Sequence, residues 1–195
     1  MNRRIQRGVV KIGGARGNAF GSLLEEIKER MERGEQWILA HGASSMMEDL
    51  SRAAGTEPLY VTSPGGFRSR FVSEGELALF EAACCRFSVQ LAGTLGKMGI
   101  HAVPLYPPAS KGAAAKRKDA LRSVEDGKVR ILRGNYSGSI VSFDPGDIHA
   151  VWEMGGLPVL PPLAADEALS GGILNVDGDR LAAAAAAAVG ADVLA

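Results

Sequence analysis

The sequence predicts an α/β fold: a three-layer αβα sandwich with a mainly parallel sheet and a β-hairpin insertion. Three observations predict it. Short apolar runs at 8–12, 37–40, 102–105 and 157–160 alternate with stretches of helical periodicity, the pattern of strands joined by crossover helices. Two of those runs pass directly into small-residue turns, "KIGG" and "HGASS". One later stretch, "LRSVEDGKVRILRGNYSGSIVSF", switches to polar–apolar alternation.

The elements follow in order. "GVVKI" reads as a buried strand ended by glycines. Phe20, Leu23, Leu24, Ile27 and Met31 recur at helical spacing, and Gly34 closes that helix. Trp37–Ala40 is a second buried strand, which makes a βαβ unit with parallel strands and a right-handed crossover. A short helix around Met46–Ala54 leads to a strand at Tyr60–Thr62 and the loop "SPGGFRSRF". Leu77, Phe80, Cys84, Phe87, Leu91, Leu95 and Met98 describe a long amphipathic helix ending near Gly99, followed by a strand at Ala102–Leu105. Within 121–143, Asp126-Gly127 and Ser137-Gly138 hold turn positions, which predicts an antiparallel insertion on one edge of the sheet. Asp147–Met154 is helical and Leu157–Leu160 a strand. "NVDGDRLAAAAAAAVG" then opens a helix whose poly-alanine core combines high propensity with a small cross-section. "GADVLA" reads as the start of one more buried strand, so the chain is expected to be a piece of a longer one.

Its 195 residues suffice for one full domain with a sizeable core. With 22 basic and 22 acidic side chains the net charge is zero, which argues against a general nucleic-acid or membrane-surface binder. No charged-then-apolar leader and no apolar run near ~18 residues is readable, so a cytoplasmic protein is expected. The only cysteines, Cys84 and Cys85, are adjacent in an apolar helical stretch and read as packing residues of a reducing compartment. No His/Cys spacing suggests a metal site.

Several clusters admit both a functional and a plainer reading. Lys11-Ile-Gly-Gly is neither a Walker A loop nor a dinucleotide fingerprint, since the lysine precedes the glycines and Gly13, Gly14 and Gly17 have other spacing. It is a lysine at the carboxyl end of a strand, where parallel sheets place ligands, or else an exposed lysine beside a tight turn. "HGASS" repeats strand, turn and helix start, so two sets of backbone N–H groups converge as in anion sites. His41 reads as structural, because no partner is readable. Arg68 and Arg70, two apart in an extended loop, point to one face and suit a carboxylate or phosphate; the alternative is a solvated basic loop. Asp177 or Asp179 caps the alanine-rich helix, which leaves the other free to orient a lysine or a metal. Lys111, Lys116, Arg117, Lys118 and Arg122 form a basic cluster, either a solvated face or a docking patch for an acidic partner.

In chain order, "VVKIGG", "AHGAS", "GGFRSRF" and "NVDGDRLAAAAAA" resemble the amino acid kinase family, closest to its acetylglutamate kinase branch. "TSPGGFRSRF" and "AKRKDALRSVEDGKVRILRGNYSGSI" are most similar to members acting on aminoadipate or glutamate tethered to a small acidic amino-group carrier protein. The resemblance covers nearly the whole chain and implies ATP- and Mg²⁺-dependent phosphorylation of a side-chain carboxylate. It implies that Lys11 stabilises charge on the transferring phosphoryl group and that Asp179 orients it. The turns at Gly13, Gly14 and Gly42 would cradle that group. Gly42 and Ala43, with Arg68 and Arg70, would bind substrate, Arg70 through the α-carboxylate and Asn175 at the nitrogen-bearing end. Lys116, Arg117 and Lys118 would meet the carrier. No residue is assigned to a metal.

The chain departs from the family in three ways. Ala43 and Ser44 stand where the second turn usually carries glycines, Val72-Ser73 replaces a usual Thr-Asp, and the family's nucleotide-binding half is expected to be missing. The alternatives are phosphorylation of acetylglutamate itself, or a kinase half that binds carrier or acylated amino acid without turnover. An unfilled sheet edge invites self-association.

Overall fold

Parallel pairing of the first two strands organises the molecule. The computed structural model describes residues 4–17, 20–66, 68–125 and 128–195. Strand β1 (Arg7–Ile12) is joined through α1 (Gly21–Glu32) to β2 (Gln36–His41), in register from Arg7 opposite Gln36 to Ile12 opposite His41. Helix α2 (Ser44–Ala53) follows, then β3 (Tyr60–Thr62), β4 (Arg68–Arg70), the long α3 (Glu74–Lys97) and β5 (Ala102–Pro104). Next come β6 (Ala113–Arg117), β7 (Ala120–Glu125), β8 (Lys128–Arg133) and β9 (Gly138–Phe143). The chain continues through α4 (Gly146–Glu153), β10 (Leu157–Leu160), β11 (Leu163–Asp166), β12 (Ile173–Asn175), α5 (Gly178–Val189) and β13 (Val193–Leu194).

The central sheet has the order β13-β1-β2-β10-β5, and every pairing in it is parallel. Strands β1, β2 and β10 at its centre are buried on both faces, as continuous apolar runs require. Successive residues go to opposite layers: Val10, Leu39 and Val159 pack with α1 and α3, while Val9, Ile38 and Leu160 pack with α4 and α5. The buried face of α5 is Leu181, Ala182, Ala185 and Val189, and its small side chains let the helix lie close to the sheet. The three layers expected from the sequence are therefore present.

A second, four-stranded sheet of order β12-β11-β6-β9 was not foreseen. The stretch "AAAKR" has helical propensity, yet Ala113 and Ala115 are buried between β9 and β11, so tertiary pairing overrides the local preference. The antiparallel insertion expected at 121–143 divides accordingly. Strands β7 and β8 form a separate ribbon, and β9 pairs with β6. The Asp126-Gly127 turn lies outside the described residues. The loop "SPGGFRSRF" contains β4, which pairs antiparallel with β3. The strand expected to be buried at "GADVLA" is β13 at the edge of the central sheet, with Val193 and Leu194 exposed. Among the described residues, no helix is long and apolar enough to cross a membrane.

Candidate functional site

The carboxyl ends of β1 and β2 open into a cavity of about 640 Å³. Ligands of open parallel sheets sit at such strand ends. Lys11, Gly14, Gly42, Ala43, Arg70 and Asn175 line it.

Strand pairing fixes where Lys11 stands. Its backbone lies opposite Ala40 of β2, and its N–H donates to the Ala195 carbonyl at 2.8 Å on the other side. Its side chain meets the first turn of α5, where Nζ lies 2.8 Å from Asp179 Oδ1. Asp177 is the cap of that helix, its carboxylate accepting from Arg180 N–H at 2.9 Å. The residue pattern alone left the two aspartates interchangeable; Asp177 is the cap, and Asp179, which the resemblance set beside Lys11, is the one that meets it.

The two glycine turns are hydrogen-bonded to each other. Gly42 N–H donates to the Ile12 carbonyl at 2.9 Å, and Ser45 N–H donates to the Gly14 carbonyl at 2.8 Å. Gly42 was expected to offer its N–H to a phosphate, but that donor is already engaged. The donors this turn can offer come from the residues after it, at the N-terminus of α2, which a helix leaves without internal partners. Ala43 adopts φ −135° and ψ 24°, so the residue that departs from the family's glycine carries no left-handed strain. Its methyl group is buried beside Met47 and Leu163.

Behind this turn His41 is fully buried. Its Nδ1 lies 3.1 Å from the Gly42 carbonyl, which can only accept, so Nδ1 carries the proton and Nε2 accepts from Ser88 Oγ at 2.6 Å. Burial lowers the imidazole to about 4, the Gly42 hydrogen bond opposing the shift. The sign follows directly. Below about 6.5 the unfolded chain takes up a proton that folded His41 refuses, so stability falls as pH drops from about 6.5 to about 4, by roughly 3 kcal/mol in all. Urea unfolding at pH 7 and pH 4.5 is expected to show this, with a shallower decline for His41→Gln. Equal declines in both proteins would remove His41 from the account.

Arg70 and Arg68 part company. Arg70 donates through Nε and Nη2 to Glu76 Oε1 at 3.0 and 2.8 Å. Glu76 in turn closes a capping box with Ser73 at the start of α3. This side-on clamp holds the guanidinium at the cavity wall, and Nη1 takes no part in it. Arg68 instead stacks over the Tyr60 ring, 4.1 Å from its centroid, and is not among the lining residues. Gly13, half-buried, precedes Gly14 but does not line the cavity.

Asn175 ends β12. Its N–H donates to the Tyr136 carbonyl at 3.0 Å, so its backbone is fixed while its side chain borders the cavity. The three residues expected to meet the carrier differ among themselves. Lys116 and Lys118 are exposed, whereas Arg117 stacks 3.6 Å from the Tyr136 centroid and donates Nε–H to the Asn135 carbonyl at 2.8 Å. Arg117 is a strut of the second sheet as much as a surface charge.

Glu76 and Asn135 were missed by sequence reasoning. The Ser73-x-x-Glu76 spacing is a readable capping-box signature. Asn135 carries no such signal. It is completely buried, accepts from Val72 N–H at 2.9 Å, and donates to the Lys118 carbonyl at 2.7 Å and Ser137 Oγ at 2.6 Å. It therefore ties the segment after Arg70 to the root of the basic hairpin. Among the described residues, no group of three or more His, Cys, Asp or Glu side chains could hold a metal ion.

The sequence matches the amino acid kinase family over residues 6–195. The chain belongs to that family. It is 40% identical, over 95% of its length, to the LysW-aminoadipate kinase of Deinococcus radiodurans, and spans 63% of that relative. Against the LysW-aminoadipate/LysW-glutamate kinase of Sulfurisphaera tokodaii it is 34% identical, covering 95% of this chain and 70% of the other. The crystal structure of smu.665 from Streptococcus mutans superposes with a TM-score of 0.77 at 23% identity, covering 96% of this chain and 70% of that one, and so shares its fold.

Proposed function

We propose that residues 1–195 form the amino-acid-binding domain of a kinase. It transfers the γ-phosphoryl group of ATP to the side-chain carboxylate of aminoadipate or glutamate carried on an acidic amino-group carrier protein, yielding an acyl phosphate and ADP. The observation that carries this reading is one crevice in which the Lys11–Asp179 pair, two mutually bonded glycine turns, Arg70 and Asn175 converge. The names of the relatives at 40% and 34% identity support the substrate.

Phosphoryl transfer needs positioning and fixed positive charge more than covalent help. ATP supplies the phosphoryl group, with Mg²⁺ held mainly by its phosphates, as that ion commonly is. The residues present fit such a group. A Cβ at Gly14 would lie 2.4 Å from Ala43 N, so only glycine leaves the two turns this close. Lys11 balances charge on the phosphoryl oxygens, and Asp179 holds its ammonium in place. The N-terminus of α2 adds N–H donors and the positive end of its dipole. Arg70, clamped by Glu76, presents Nη1 to the substrate's α-carboxylate, and Asn175 reads the nitrogen-bearing end. Exposed Lys116 and Lys118 offer the carrier's acidic surface a complementary charge.

Incubating the protein with ATP, Mg²⁺ and a carrier ending in aminoadipate or glutamate, then trapping with hydroxylamine, is expected to yield hydroxamate. Hydroxamate from free N-acetylglutamate alone would assign the protein to that substrate instead. Carrier binding without hydroxamate would make it a binding module.

A further inference from the structure

The cavity is assembled from three separate sheets. Lys11 and the glycine turns belong to the central sheet, Asn175 ends β12 of the second, and Arg70 ends β4 of the two-stranded β3–β4 sheet. Arg70 and Asn175 can grip one ligand only if that small sheet keeps its place relative to β12. The Glu76 clamp fixes the guanidinium. The backbone that carries it is held at Val72, two residues on and about 7 Å along the chain.

Val72 is buried at the cavity wall and spends both of its backbone groups on the segment before β9. Its carbonyl accepts from Tyr136 N–H at 2.7 Å, and its N–H donates to Asn135 Oδ1 at 2.9 Å. On the far side the Tyr136 carbonyl accepts from Asn175 N–H at 3.0 Å, and Ser137 pairs with Asn175 in a parallel bridge. The strand of Arg70 is thus linked to Asn175 through residues 135–137.

One bond in this link depends on residue identity. The Tyr136 N–H is backbone, which any residue but proline supplies, whereas Oδ1 comes from the Asn135 side chain. The carboxamide can face only one way, because Val72 N–H can only donate and the Lys118 carbonyl can only accept. Its Nδ2 hydrogens go to that carbonyl and to Ser137 Oγ, which roots the amide just beyond β6 and just before β9. An apolar side chain here would leave the buried Val72 N–H without this partner, a loss that a folded chain rarely tolerates.

We infer that Asn135 is a positioning residue of the amino-acid subsite: it holds the Arg70 strand at a set distance from Asn175, so that both act on one substrate. This rests on the reading of Arg70 and Asn175 as substrate contacts given above. Asn135 does not line the cavity and acts through those two residues.

Calorimetric titration of the wild-type chain and Asn135→Ala with a carrier ending in aminoadipate, and with the same carrier unloaded, tests it. The variant is expected to bind the loaded carrier about tenfold more weakly, the worth of one hydrogen bond, with the unloaded carrier unaffected. Stoichiometry counts the folded molecules, and affinity reports the geometry of the site within them. In the wild-type chain, exchange of the Val72 amide hydrogen, followed by NMR, should slow on binding loaded carrier and not on binding unloaded carrier. Unchanged affinity of Asn135→Ala for the loaded carrier would overturn the inference, whether or not its stoichiometry falls. So would an equal loss for both forms of carrier, or Val72 exchange indifferent to the load. A wild-type chain that binds loaded carrier no better than unloaded would overturn the reading of the cavity itself, a result in which the variant plays no part.

Discussion

Lys11→Met is expected to lower hydroxamate formation by about 10²–10³-fold, or roughly 3–4 kcal/mol of transition-state stabilisation, with little change in Tm. Methionine keeps the aliphatic stem that packs beside Gly178 and removes only the charge. The pair that it breaks is solvent-facing, with Asp179 77% exposed, so its loss costs the fold little. The effect should fall on kcat, because the ammonium is most needed when charge spreads over the transferring group. Asp179→Asn should cost about tenfold, since it loosens the lysine without removing it. Lys11→Met turning over at the wild-type rate would take Lys11 out of the chemistry.

Gly14→Ala carries the second large expectation. The added Cβ would stand 2.4 Å from Ala43 N and Gly42 C and 2.6 Å from Ser44 N, all backbone, so the two turns must separate. Overpacking of this kind costs about 1–3 kcal/mol. Thermal melting should therefore show a loss of several degrees, on the order of 2–4 °C for each kcal/mol. A displacement of this size at the cradle is also expected to reduce turnover by about 10²-fold. Gly17→Ala is the control. Gly17 has φ +82° and open space around it, so alanine there meets backbone strain of about 1 kcal/mol without moving the cradle. Equal losses of turnover in the two variants would show that local strain, and not the spacing of the turns, matters.

The opening strand, helix and strand were legible because each is a local pattern: a β-branched run, a 3.6-residue period, a glycine stop. The same holds for α3 and for the start of α5. The second sheet was not legible, since "AAAKR" becomes a strand only by lying between β9 and β11. Within the site, the turns and Lys11 announced themselves as a lysine and glycines after buried strands. Arg68 and Arg70 looked equivalent in sequence, yet Tyr60 takes one and Glu76 the other. Asn135 gave no sign, because its partners include Val72, which is 63 residues away.

Periodicity, glycine placement and the order of motifs settled the α/β class and the crevice at the ends of β1 and β2, because those depend on neighbours within a few turns of chain. Pairing across the fold settled the rest: the Gly42 N–H turned inward to Ile12, Ala43 without strain, and Arg70 but not Arg68 at the cavity. Each of these turns on distances of a few ångströms between segments far apart in sequence, and a linear pattern carries no record of such distances.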